Sequence, residues 1–133
     1  PTPSVFGRFD DLGDVHEVCV PTPLIAALAT SDAEDIADVM GNDLQPAAVS
    51  LRPDLADVLA EGRRAGARAA LVSGSGPTCV FLALDESAAH RIAAQLVQLP
   101  QVRTTRIATG PVAGAQLLPN VVGSARDTAG SAR

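Results

Sequence analysis

The sequence predicts an α+β fold, a mostly antiparallel four-stranded sheet with helices packed on one face. Three observations lead there. Apolar residues recur at helical spacing from the N-terminus to Gly66, and from Ala67 the period shortens to that of strands. The links between the later apolar runs are too short for parallel crossovers, except across one helix that begins near Ser87.

Thr2-Pro3 reads as an N-cap followed by proline in the first turn, after which Val5, Phe6, Phe9 and Leu12 keep helical spacing until Gly13. A polar loop from Asp14 to Pro21 leads to a second Thr-Pro pair, Thr22-Pro23, which opens a short helix carrying Leu24, Ile25 and Leu28. Ser31 and Glu34 form a capping box ahead of Ile36, Val39 and Met40, and that helix stops near Gly41. Asn42 to Pro46 makes a break before a one- or two-turn helix through Val49. Pro53 starts a longer helix with Leu55, Val58 and Leu59 inward, which Gly62 weakens and Gly66 ends.

Ala67 to Val72 reads as a strand, followed by a glycine-rich loop and a second strand from Thr78 to Leu84. Asp85-Glu86-Ser87 then opens a helix with Ala89, Ile92, Ala93 and Leu96 on one side, closed by Pro100. Val102 to Thr109 is a third strand and Val112 to Leu118 a fourth. Residues 1–118 form one domain on this reading. From Pro119 onward apolar patterning is nearly lost, burial cannot offset the entropy of ordering, and residues 119–133 are expected to form a flexible tail.

With 133 residues the chain is sized for one domain, and with 47% apolar but only 2% aromatic residues its core must be built from Ala, Val, Leu and Ile. A net charge of −5 with scattered arginines excludes nucleic acid and anionic membrane as partners, because both are held by clustered cations. No apolar run is long enough to span a bilayer, and the expectation is a cytoplasmic protein. Cys19 and Cys79 lack metal or redox spacing, with His16 and His90 equally far apart in sequence; Cys79 reads as a small core residue.

Chemistry concentrates in Ser73-Gly74-Ser75-Gly76-Pro77-Thr78. Glycines let the backbone approach a ligand, and successive N–H groups with two hydroxyls can cradle an anion. The same residues also make an ordinary hairpin turn. A Walker-type loop is excluded, since no lysine occurs anywhere in the chain and a strand follows instead of a helix. A nucleophile elbow is excluded because Ser73 stands where its first glycine would be. Ser73 and Ser75 have no base partner identifiable in sequence, and no catalytic residue is assigned. Asn42-Asp43 fits a cap or turn as well as an acidic site, the acids from Asp32 to Asp38 fit a solvated helix face, and His90 falls on a helix as a surface or packing residue.

Three stretches, Thr2-Pro3-Ser4-Val5-Phe6, Gly41-Asn42-Asp43-Leu44-Gln45-Pro46-Ala47-Ala48 and Ser73 through Phe81, together resemble the C-terminal half of a GHMP-superfamily small-molecule kinase. The resemblance runs from residue 1 to about Leu118, and the Asn-Asp-Leu-x-Pro stretch points within that superfamily to kinases of a cytidine-diphospho-methylerythritol in the non-mevalonate isoprenoid pathway. It implies a ferredoxin-like C-terminal domain and an ATP-dependent phosphotransferase with an alcohol acceptor. It implies that Thr2 and Phe6 meet the cytidine end of the substrate, with Phe6 stacking on the base, and that Ser73, Gly74, Ser75 and Gly76 form the third motif beside the phosphates. The lysine and aspartate at the acceptor hydroxyl and the main ATP loop belong, on the same resemblance, to a missing N-terminal kinase domain, the expected partner. The chain, which begins without Met, is thus expected to be inactive alone and to hold neither ATP nor magnesium tightly, although the whole enzyme uses both. Two alternatives stay open: a stand-alone α+β ligand-binding or regulatory module, and the C-terminal domain of another GHMP kinase.

Overall fold

A computed structural model describes residues 1–13 and 20–116. Six helices and one hairpin run in the order α1 (Thr2–Leu12), α2 (Thr22–Thr30), α3 (Ala33–Val39), α4 (Gln45–Leu51), α5 (Asp54–Arg64), β1 (Ala69–Val72), β2 (Cys79–Leu82) and α6 (Glu86–Leu96). Among the described residues no helix is long and apolar enough to cross a membrane.

The helix starts follow the chain's own punctuation. Proline occupies the first turn of α1, α2 and α4, where its missing N–H leaves no bond unmade. Gly13, at φ 70°, closes α1 in the left-handed conformation that glycine adopts without strain. The cap of α3 lies one residue beyond the expected capping box. Asp32 accepts the N–H groups of Glu34 and Asp35, at 2.8 and 3.4 Å, while Ser31 ends α2 with φ 56°. A carboxylate also suits the positive helix end better than a hydroxyl. Asp85 caps α6 in the same way, accepting from Ala88 N–H at 2.6 Å. In α5, Asp54 and Asp57 sit in the first turn and Arg63 and Arg64 in the last, both complementing the helix dipole.

β1 and β2 are antiparallel, with Ala70 opposite Phe81 and Val72 opposite Cys79. Strand alternation puts these four residues on one face, and the helices pack there. One cluster joins Val5, Ala47, Ala48, Leu55, Leu59, Ala70 and Val72; a second joins Val58, Ala67, Ile92 and Leu96, and Cys79 and Phe81 touch both. Helices on one face of a small antiparallel sheet are therefore as expected.

The sheet has two strands among the described residues, not four. Residues 102–116 carry no strand: Val102 tucks against the second cluster, and beyond it the segment is mostly exposed. The physical reason is in the composition. Val102 and Ile107 are the only large apolar residues from 102 to 109, and Arg106 bonds locally to Thr104 Oγ1 and Thr105 O. Residues 117 and 118 of the expected fourth strand, the tail from 119 to 133, most of the loop from Asp14 to Pro21, and with it His16 and Cys19, lie outside the described residues.

Gly62 also differs from expectation. It is buried in mid-helix, and a Cβ there would strike the Phe81 ring. The glycine is thus the contact that seats β2 on α5.

Candidate functional site

A cleft of about 590 Å³ opens where three elements meet: the first turn of α1, the α4–α5 corner and the glycine loop between β1 and β2. Thr2, Ser4 and Val5 come from α1, Ala48, Leu51, Arg52 and Leu55 from the corner, and Ser75, Gly76 and Pro77 from the loop. Its floor is apolar, because Val5, Ala48 and Leu55 are core residues. Its rim carries hydroxyls and one guanidinium.

Two of the sequence-derived candidates meet directly. Thr2 Oγ1 and Ser75 Oγ lie 3.0 Å apart in a hydrogen bond between residues 73 positions distant in the chain. Each hydroxyl keeps capacity for another partner. Phe6 does not line the cleft; its ring is 51% exposed on α1, one residue beyond the buried Val5, while Phe9 turns toward the core. Exposure leaves the Phe6 ring free to stack. Ser73 is exposed at the base of the loop.

The loop is held rather than loose. Ser73 N–H donates to Thr78 O at 2.8 Å and Gly76 N–H to Ser73 O at 2.9 Å, closing a tight turn with Gly74 at φ 55° and Gly76 at φ 72°. Both are conformations that side chains resist. At Gly76 a Cβ would also come within 3.0 Å of Val72 Cγ1. Gly74 and Ser75 N–H groups have no protein acceptor among the described residues, which leaves them available to an anion.

Residues that sequence reasoning did not assign complete the frame. Asn42 donates both Nδ2 hydrogens to backbone carbonyls, Val72 O at 2.7 Å and Gly74 O at 2.8 Å, and accepts Leu44 N–H at 3.1 Å. Gln45 Oε1 accepts Val72 N–H at 2.8 Å. The Asn42-Asp43 pair is therefore a turn with a long-range anchor, and the signal available in sequence was an amide side chain beside a break. Arg52 was missed because a lone arginine carries no pattern. Its guanidinium forks onto Asp54, Nε to Oδ1 at 2.8 Å and Nη2 to Oδ2 at 2.6 Å. These hydrogen bonds, with the opposite charges, hold the Asp54 carboxyl below the usual carboxylate range and raise Arg52 further.

Elsewhere the candidates are structural. Cys79 is half-buried, and burial, with the Asp54 charge, pushes its thiol up, so that it is a weak nucleophile. His90 is exposed beside Glu86 at 3.7 Å, and Glu34 pairs with Arg68 at 2.9 Å. A shallower depression of about 340 Å³ between α2 and α3 offers Thr30, already bonded to Ala27 O and Asp35, and two carboxylates with no cation. Among the described residues no group of three or more His, Cys, Asp or Glu could hold a metal ion. Around the cleft the hydroxyls of Thr2 and Ser75, two backbone N–H groups without a protein acceptor among the described residues and one guanidinium come together.

Residues 24–100 match the family of GHMP kinases, C terminal. A 4-diphosphocytidyl-2-C-methyl-D-erythritol kinase of Cutibacterium acnes is 53% identical over 124 residues, 92% of this chain and 40% of that protein. The kinases of the same name from Mycolicibacterium smegmatis, 47% identical, and Mycobacterium tuberculosis, 46% identical, align with 89% and 88% of the chain and 38% of their own lengths. The chain thus spans about two fifths of the curated relatives it matches, and these alignments reach beyond the family match to take in nearly all of it.

Proposed function

This chain belongs to the GHMP kinases, as their C-terminal domain, and on that premise we propose that it is the acceptor-side part of a kinase that transfers the γ-phosphoryl group of ATP to a hydroxyl of 4-diphosphocytidyl-2-C-methyl-D-erythritol. The observation that carries this reading is the Thr2–Ser75 hydrogen bond. It joins, across one cleft, two stretches that the sequence singled out separately.

Each group then has a task its chemistry suits. The free N–H groups of Gly74 and Ser75 receive phosphate oxygens, Ser75 and Thr2 orient the acceptor through their remaining hydrogen-bond capacity, and the Phe6 ring stacks on the cytosine. Arg52 adds positive charge at the rim, fixed in direction by Asp54. The transfer itself calls for charge stabilisation of the moving phosphoryl and a group at the acceptor hydroxyl, and we place both in the part of the kinase that this chain does not cover. ATP and magnesium are cofactors of the whole enzyme, held chiefly by that other part. Both substrates are charged and membrane-impermeant, which supports a cytoplasmic enzyme.

Steady-state kinetics of the full-length kinase test the reading. Phe6→Ala should raise KM for the cytidine substrate by about tenfold, as loss of a base–aromatic stack of roughly 1–3 kcal/mol requires, with a much smaller change for ATP. An equal rise for both, or no phosphorylation of this acceptor by the wild-type enzyme, would overturn it.

A further inference from the structure

The cleft has one wall on α1 and the other on the glycine loop; the Thr2–Ser75 hydrogen bond links them at the rim, and Asn42 and Gln45 hold the loop from behind. From the turn before α4 and its first residue they take hold of the end of β1 and the start of the loop: Asn42 Nδ2 on the carbonyls of Val72 and Gly74, Gln45 Oε1 on the N–H of Val72. Asn42 itself cannot drift, because Gln45 N–H donates to its backbone oxygen at 3.0 Å and Leu44 N–H to its side-chain oxygen at 3.1 Å. Helix α4 is in turn fixed to α1, through the shared packing of Val5, Ala47 and Ala48 and through Arg8 Nε donating to Ser50 Oγ at 3.0 Å. A continuous path of bonds and packed side chains therefore runs from Ser75 to Thr2 through α4.

We propose that Asn42 and Gln45 are positioning residues that hold the glycine loop in register with the first turn of α1 and so set the geometry of the acceptor cleft. Neither reaches the cleft itself. Both are half-buried, so their hydrogen bonds to the loop are made with partial loss of water, and releasing one strands a backbone carbonyl or N–H. The kinetic part of this inference rests on the kinase reading; the structural part does not.

The direction of the hydrogen bonds supplies the test. At position 42 the side chain must donate, and at position 45 it must accept, so that one chemical change, amide to carboxylate, has opposite outcomes at the two sites. In the full-length kinase, Asn42→Asp keeps the oxygen that Leu44 N–H uses but removes both donors. It should speed backbone amide exchange in the segment 73–78 and raise KM for the acceptor by about tenfold each, with KM for ATP changing less. Gln45→Glu keeps the acceptor and should stay within about twofold of wild type on both measures. If Asn42→Asp does not fold, Gln45→Leu set against Gln45→Glu carries the same contrast, because only leucine removes the acceptor of Val72 N–H. Equal behaviour of the two acid variants, or wild-type exchange and acceptor KM in Asn42→Asp, would overturn the inference. A wild-type enzyme that fails to phosphorylate the acceptor would sink the kinase reading alone, and the exchange measurement would still decide whether the anchor exists.

Discussion

Gly62 shows how a single missing atom can set the packing of a small fold. Helix propensity alone says that alanine at this mid-helix position should stabilise by about 1 kcal/mol. The Phe81 ring occupies the space that a Cβ needs, and Phe81 belongs to both core clusters, so the ring has little room to retreat. Overpacking of this kind costs about 1–3 kcal/mol. Gly62→Ala should therefore lower stability by up to about 2 kcal/mol net in a denaturant titration; a stabilised variant would mean that the ring gives way freely. The sequence showed the glycine but not the ring, because a contact between residues 62 and 81 depends on how β2 settles on α5.

Among the elements, helix starts were the most legible and strand partners the least. The Thr-Pro pairs at residues 2 and 22 mark their helix starts to within a residue, since proline's fixed φ acts locally, but Pro1 and Pro21 hold the N-cap positions and neither threonine caps its helix. The α3 cap moved by one residue because serine and aspartate are adjacent and both can cap; only the φ of Ser31 decides between them. Asp32→Ala should cost about 1 kcal/mol and Ser31→Ala only a few tenths, and thermal unfolding of the two variants compared side by side would reverse that order if Ser31 were the cap. The third and fourth strands failed for a physical reason of a different kind. An extended segment becomes a strand only when it pairs with an edge, and no apolar count within residues 102–118 reveals whether that pairing forms. The site divides likewise. Ser75 was visible as loop chemistry and Thr2 through the family resemblance, whereas Asn42, Gln45 and Arg52 gained meaning only from what they touch.

For the molecule as a whole, Leu55 is where stability and function share a side chain. It is 4% exposed in the first core cluster, and it also lines the floor of the cleft. Leu55→Ala should cost about 2–5 kcal/mol, read as a fall in the denaturant midpoint at unchanged slope. A loss below about 1 kcal/mol would show that the neighbouring helices collapse into the space. With large aromatics nearly absent, the core depends on close approach of Ala47, Ala48 and Ala70, and it has little flexible volume with which to fill such a gap.

The bond between Thr2 and Ser75 also has a history in time. Its partners are 73 residues apart, so on a ribosome adding roughly 5–20 residues per second the hydroxyl of Thr2 is made several seconds before the one it binds. Helix α1 can meet α4 meanwhile, since Ala47 and Ala48 lie much nearer in the chain, but the hairpin that carries Ser75 pairs only after β2 emerges. Contacts of long sequence separation close late. The cleft is thus expected to be among the last parts of this chain to form, and a partly unfolded molecule would lose it before it loses its helices.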